Sequence, residues 1–283
     1  MNDIMMDRRQ WLLGAGAGML VLHSTGAVAA EPAFASQRIA VTVRGQGKDV
    51  LLIPGLASGP GVWNGVVGSL PGRRLHLIQV RGFAGLPPGI NRSGPLLQPV
   101  ADEIARYAAL SGLKLPAVVG HSMGGMLAMI LGLKGGVGRV MVVDMLPAGA
   151  AMLGGTAGGM GYLADQLSLY FTQTSAGRRY LADIVARTPG AQGSDPDVIA
   201  NALRDLANTD LGPQLPRMTV PLEVVYAVGA DQGQAVEITR RFRAAYAGKK
   251  GATLLPLGPS GHLVMADQRD RFNAALRKFL EPI

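Results

Sequence analysis

From Arg38 onward the chain alternates short apolar runs with segments of helical spacing, and glycine or proline punctuates nearly every change. Arg38-Ile39-Ala40-Val41-Thr42-Val43 places apolar side chains at every second position, the period of a half-buried edge strand. Asp49 to Ile53, Leu75 to Val80, Leu115 to Val119, Pro221 to Val228 and Ala252 to Leu257 are short, rich in β-branched residues and bounded by Pro or Gly. Such runs suit strands buried on both faces of a parallel sheet. Between them, residues 96 to 112 carry Leu97, Val100, Ile104, Tyr107 and Ala108 on one helical face, and Met123 to Leu131 suits a buried helix. An amphipathic helix is predicted over Asp267 to Leu280. The alternation implies an α/β fold with a doubly wound, mostly parallel sheet, whose ligand crevice lies at the carboxyl ends of the strands.

Between Pro147 and Pro216 the pattern changes. Residues 149 to 161 are nearly all small, and 162 to 171, 177 to 187 and 196 to 207 have the spacing of short helices. The expected organisation is one domain in two parts, 36–147 and 216–283, with a helical insertion over 148–215.

Composition narrows the chemistry. The 283 residues are 48% hydrophobic, ample for a large core. There is no cysteine, so disulfides, thiolate metal sites and thiol nucleophiles are excluded together. No Gly-x-x-x-x-Gly-Lys-Ser/Thr loop occurs, and none of the four histidines (His23, His76, His121, His262) is spaced as in a helical zinc site. His76 falls inside a strand, where it packs or meets solvent. Net charge is +8; residues 1–29 contribute Arg8 and Arg9 against Asp3 and Asp7, so the excess belongs to the remainder. Apart from Arg240-Arg241-x-Arg243 and Lys249-Lys250 it is scattered and lacks interleaved aromatics, which fits a solvated helix face and not a nucleic-acid surface.

The first 29 residues have the grammar of a signal peptide. Arg8-Arg9 precede an apolar stretch that runs to Leu22, too short to span a bilayer comfortably, and Ala27-Val28-Ala29 offers a small-x-small cleavage site, with Ala33-Phe34-Ala35 as a second. The arginine pair followed by Trp11 and Leu12 resembles the twin-arginine export motif, with Asp7 where that motif usually has Ser or Thr. The expected location is the periplasm or beyond, with the twin-arginine export machinery as a partner and no stable membrane insertion once the signal is removed. An uncleaved N-terminal anchor is the alternative.

The chemistry centres on Gly120-His121-Ser122-Met123-Gly124-Gly125, which follows an apolar strand and opens an apolar helix. This is the setting of a nucleophile elbow, where Gly120 and Gly124 permit a turn that forces Ser122 into a strained conformation and lifts its hydroxyl above the sheet.

With the elbow in this context, residues 37–147 and 216–283 resemble an α/β-hydrolase. Arg81-Gly82-Phe83-Ala84-Gly85 is similar to the Arg-Gly-x-Gly turn of that superfamily, and Val140 to Pro147 resembles its next strand, commonly closed by an Asp and a Pro; Asp144 is thereby assigned a structural part. The resemblance implies an oxyanion hole from the backbone N–H groups of Leu56 and Met123, although Pro54-Gly55 stands where His-Gly is usual. It also implies a triad in chain order: Ser122, then Asp231 in the loop after the penultimate strand, then His262 in the Gly-rich loop after the last. His121 is expected to face away from substrate. The insertion would be a cap over the site, with Met152, Met160, Leu163, Leu167 and Tyr170 lining an apolar pocket. No cofactor or metal is implied. The function expected is hydrolysis of a small, apolar carboxylic ester; carbon–carbon bond hydrolysis, cofactor-free perhydrolysis and acyl transfer use the same three residues, and a binding protein on this scaffold is the non-enzymatic alternative.

Overall fold

The computed structural model describes residues 34–152 and 191–281, with 174, 176, 177 and 180 between them. The proposed signal peptide and the predicted helices over 162–171 and 177–187, apart from residues 177 and 180, lie outside the described residues.

Seven strands form one sheet in the order β1-β3-β2-β4-β5-β6-β7. They are β1 (Ile39–Gly45), β2 (Lys48–Ile53), β3 (Arg73–Val80), β4 (Ala117–His121), β5 (Arg139–Val143), β6 (Leu222–Ala227) and β7 (Thr253–Leu257). Only the β1–β3 pair is antiparallel. Strand β1 lies at the sheet edge as expected, but its burial fades along its length instead of alternating: Ile39 is buried, Ala40 and Val41 are half-buried and Val43 is 47% exposed. In β2 successive side chains enter opposite cores: Leu51 and Ile53 pack with Val118, Ile104 and Leu127 on one face, Val50 and Leu52 with Val119, Trp63 and Phe272 on the other. Burial on both faces explains why the central strands are apolar throughout. Each fully buried Leu or Ile contributes roughly 1.5–3 kcal/mol.

The helices among the described residues are α1 (Asn64–Val67), α2 (Leu97–Leu110), α3 (Met123–Lys134), α4 (Gly149–Met152), α5 (Pro196–Ala207), α6 (Gln232–Tyr246), α7 (Val264–Asp267) and α8 (Arg269–Leu280). Helix α3 is buried from Met123 to Gly132, hence its lack of a polar face. The helix predicted over Asp267 to Leu280 is α8, which begins two residues later, after a break at Gln268 (φ −120°, ψ 44°) that separates it from α7. None is long and apolar enough to cross a membrane.

His76 is packed, not solvated. Its Nδ1 lies 2.6 Å from the Tyr107 hydroxyl and its Nε2 2.9 Å from Asp49 Oδ1, which also accepts from Arg74 Nε at 2.6 Å.

The chain between β5 and β6 leaves and rejoins the core through a paired neck. Leu211 N donates to Pro147 O and Gly149 N to Thr209 O, both at 2.9 Å, around an antiparallel bridge between Ala148 and Asp210. Gly149 is required there, since a Cβ would stand 2.0 Å from the Leu206 carbonyl oxygen. Beside this neck, Asp205 Oδ2 accepts from Leu96 N at 2.5 Å and Leu97 N at 3.0 Å, capping α2 from another part of the chain. Helix α2 has no side-chain cap of its own. Asp205→Ala should therefore lower stability by about 1–2 kcal/mol, read as a shift of the urea midpoint; an unchanged midpoint would mean that water replaces the carboxylate at no cost.

Candidate active site

The elbow forms where β4 meets α3. Ser122 has φ 54° and ψ −121°, a conformation a side chain rarely adopts and one that costs on the order of 1–3 kcal/mol. It is over-determined by its neighbours: Ser122 N donates to Val143 O at 2.9 Å, and Ser122 O accepts from Gly125 N at 2.7 Å and Met126 N at 3.2 Å. The two expected glycines are the ones the turn needs. A Cβ on Gly120 would stand 1.9 Å from Gly124 O, and one on Gly124 would stand 2.3 Å from Ile53 O.

His262 lies in the loop between β7 and α7, held at three points. Ser260 N donates to Val228 O at 3.0 Å, Gly261 N donates to Asp267 Oδ2 at 2.8 Å, and the His262 carbonyl accepts from His121 Nε2 at 2.9 Å. The sequence expectation of an acid is corrected here. The carboxylate that meets His262 belongs to Asp144, whose Oδ2 is 2.6 Å from His262 Nδ1. Asp144 is buried, takes φ 51° at the end of β5, and its Oδ1 accepts from Ala227 N at 3.0 Å, so both oxygens are fixed. Asp231 is exposed and is spent as the N-cap of α6, accepting from Gln234 N at 2.7 Å. One signal in the sequence bears on this: Asp231 with Gln three residues later is a capping pattern in its own right. The sheet order adds that Asp144 follows the strand adjacent to the elbow strand, whereas Asp231 lies one strand further out.

The loop Pro54 to Ser58 passes directly over the elbow. A Cβ on Gly55 would lie 3.0 Å from His121 Nδ1 and 3.1 Å from Ser122 Cβ, which accounts for glycine there. Leu56 is half-buried against the core and Met123 is buried at the first position of α3, where a backbone N–H has no partner inside the helix. Of the expected pocket residues, Met152 is half-buried against the core at the end of α4; Met160, Leu163, Leu167 and Tyr170 lie outside the described residues. Among the described residues, no group of His, Asp and Glu is arranged to hold a metal.

His121 is buried, and it holds the loop that carries His262, which the spacing did not reveal. A carbonyl only accepts, so Nε2 carries the proton, and Nδ1 is left buried as a lone pair without a partner. Burial, then repulsion from His262 4.6 Å away ring to ring, pushes its pKa down to about 4. The folded value is below the ordinary one of 6.5, so the unfolded chain binds this proton first, and stability is lost as pH falls from about 6.5 towards 4. Denaturant unfolding at pH 7 and pH 5 checks this. His121→Gln keeps an N–H for the His262 carbonyl but does not titrate, and should shrink the pH 7 to pH 5 difference by about 2 kcal/mol; an equal difference in both proteins would overturn the account.

Several solved structures share this architecture. An enol-lactonase from Burkholderia xenovorans LB400 superposes with a TM-score of 0.62 at 17% identity, covering 86% of this chain and 96% of that one. An esterase from Exiguobacterium antarcticum gives 0.65 at 19%, covering 85% and 94%. A bromoperoxidase from Bacillus anthracis gives 0.61 at 19%, covering 86% and 95%. At these identities the likeness is one of fold. No curated protein matches the chain. The alpha/beta hydrolase family model, however, matches residues 50–275, a span that runs from β2 through the elbow and His262 into α8; the chain belongs to the alpha/beta hydrolase family.

Proposed function

We propose that this protein is a serine hydrolase that cleaves carboxylic esters through an acyl-enzyme, with Ser122 as nucleophile, His262 as base and Asp144 as the acid that orients it. The observation that carries the reading is the 2.6 Å contact between His262 Nδ1 and Asp144 beside a serine held at φ 54°. A serine hydroxyl is a weak nucleophile at neutral pH, so attack on the ester carbonyl requires a base to take its proton. With Nδ1–H given to Asp144, His262 uses Nε2 for that step. Asp144 fixes the tautomer and stabilises the imidazolium. The developing oxyanion is met by the N–H groups of Leu56 and Met123. Collapse breaks the ester C–O bond and the His262 proton leaves with the alcohol; water, deprotonated by the same nitrogen, then attacks the acyl-serine and releases the acid. Esterases and an enol-lactonase among the structural neighbours support an ester, open or cyclic, as the bond. The bromoperoxidase neighbour keeps perhydrolysis, with peroxide in place of water, as the second reading.

The substrate is small and apolar on this reading, taken between the elbow and a cap formed by 148–215. Residues 1–29 act as a twin-arginine signal, so the enzyme works in the periplasm or beyond. Lysine at both Arg8 and Arg9 should leave precursor in the cytoplasm, seen by fractionation; export at the normal rate would point to the general secretory route.

The assignment of roles is tested by p-nitrophenyl ester hydrolysis. Ser122→Ala should lose on the order of a millionfold in turnover and all labelling by a fluorophosphonate. Asp144→Asn should lose on the order of a thousandfold or more, while Asp231→Asn stays within a few-fold of the parent. If Asp231→Asn is the crippled variant and Asp144→Asn is not, the acid is Asp231.

A further inference from the structure

The segment that returns from the β5–β6 connection reaches the core at residues 191–195, just before α5, and lies along the turn after β3. Gly85 N donates to Gly193 O at 3.2 Å and Asp195 N donates to Gly82 O at 2.7 Å. Between these two rungs the Ser194 hydroxyl accepts from Ala84 N at 2.8 Å and donates to Ala57 O at 3.0 Å. One hydroxyl thus joins three stretches of chain. Both alanines it touches have positive φ, 55° at Ala57 and 46° at Ala84, where a non-glycine residue is held only if its surroundings insist.

Ala57 follows Leu56, whose N–H is the loop's donor to the oxyanion. The three successive carbonyls of the loop are each tied: Gly55 O by Ser58 N at 3.2 Å, Leu56 O by Ser58 Oγ at 3.1 Å, and Ala57 O by Ser194. The Gly55 carbonyl and the Leu56 N–H share one planar peptide, so fixing the first aims the second. Two of the three ties are internal to the loop and would move with it. Ser194 supplies the one anchored elsewhere.

We propose that Ser194 is a positioning residue for the oxyanion hole: it pins the loop that carries the Leu56 N–H to residues 193–195 of the β5–β6 connection, and so sets the donor for the transition state. This rests on the serine-hydrolase reading above. A donor displaced by a fraction of an ångström still lets substrate bind but meets the tetrahedral intermediate poorly, so the loss falls on kcat.

The test compares Ser194→Ala, Ser194→Cys and Ser194→Thr with the parent, using p-nitrophenyl acetate, an alkyl boronic acid that forms a tetrahedral adduct on Ser122, and thermal unfolding. Ser194→Ala should lower kcat about tenfold or more with KM within about twofold, and boronic-acid affinity should fall by a similar factor. Ser194→Thr, which keeps the hydroxyl, should recover most of both. Ser194→Cys, a weaker donor of similar size, carries the same comparison if the alanine variant does not fold. A lowered unfolding midpoint with unchanged kcat and boronic-acid affinity would overturn the proposal and leave Ser194 a packing residue. Fluorophosphonate labelling separates the two readings: a parent enzyme that labels at Ser122 while Ser194→Ala retains full kcat sinks this inference alone, whereas a parent that does not label at all sinks the serine-hydrolase reading and this one with it.

Discussion

The closest backbone approach in the site is the turn from β4 into α3, where no atom larger than hydrogen fits on Gly120 or Gly124. That approach puts Ser122 in its strained conformation, and the strain is tolerated because the elbow is tied to β5 and α3 by backbone hydrogen bonds and wedged beneath the β2 loop. The sheet order follows the same need. The elbow strand stands between β2, which supplies the overlying loop, and β5, which supplies Asp144. Neighbouring strands lie about 5 Å apart, so groups at the carboxyl ends of adjacent strands converge without any long side chain having to reach. His262 alone comes from the sheet's far edge, and its loop is brought back by bonds to Val228, Asp267 and His121.

What the sequence made legible was whatever depends on period and on glycine. Strands β1 to β4, β6 and β7, helices α2, α3 and α5, and the two elbow glycines follow from local patterns that only one structure satisfies. Asp144 and Asp231 look alike by period, each an aspartate in the turn after an apolar strand; the cap that Asp231 makes to Gln234 is local and leaves a pattern, whereas the contact of Asp144 with His262 spans 118 residues and leaves none. The break at Gln268 left no mark in hydrophobic spacing, since α7 and α8 both bury apolar faces in the same core. His121 carried no signal at all: its role is a bond to a backbone carbonyl, and a carbonyl has no identity in sequence.

The connection between β5 and β6 is fastened to the core at both of its described ends. Its ends pair with one another across Ala148 and Asp210, Asp205 caps a helix of the core, and residues 193–195 line the turn after β3. These contacts use backbone groups and short polar side chains, and they set the geometry beside the apolar face that α5 buries through Val198, Ile199, Ala202 and Leu206.

The imidazole of His262 is 118 residues from its carboxylate and its carbonyl is 141 from the buried histidine that holds it. Contacts of such separation close late, after the loop entropy between them has been met by other packing. A chain synthesised only as far as β6 already contains the serine and the carboxylate, yet nothing to take a proton from the hydroxyl. On the proposed mechanism the reactive centre is therefore silent until the last strand and the two helices after it have docked, and nascent or truncated chains expose no competent nucleophile to the esters of the compartment in which they are made.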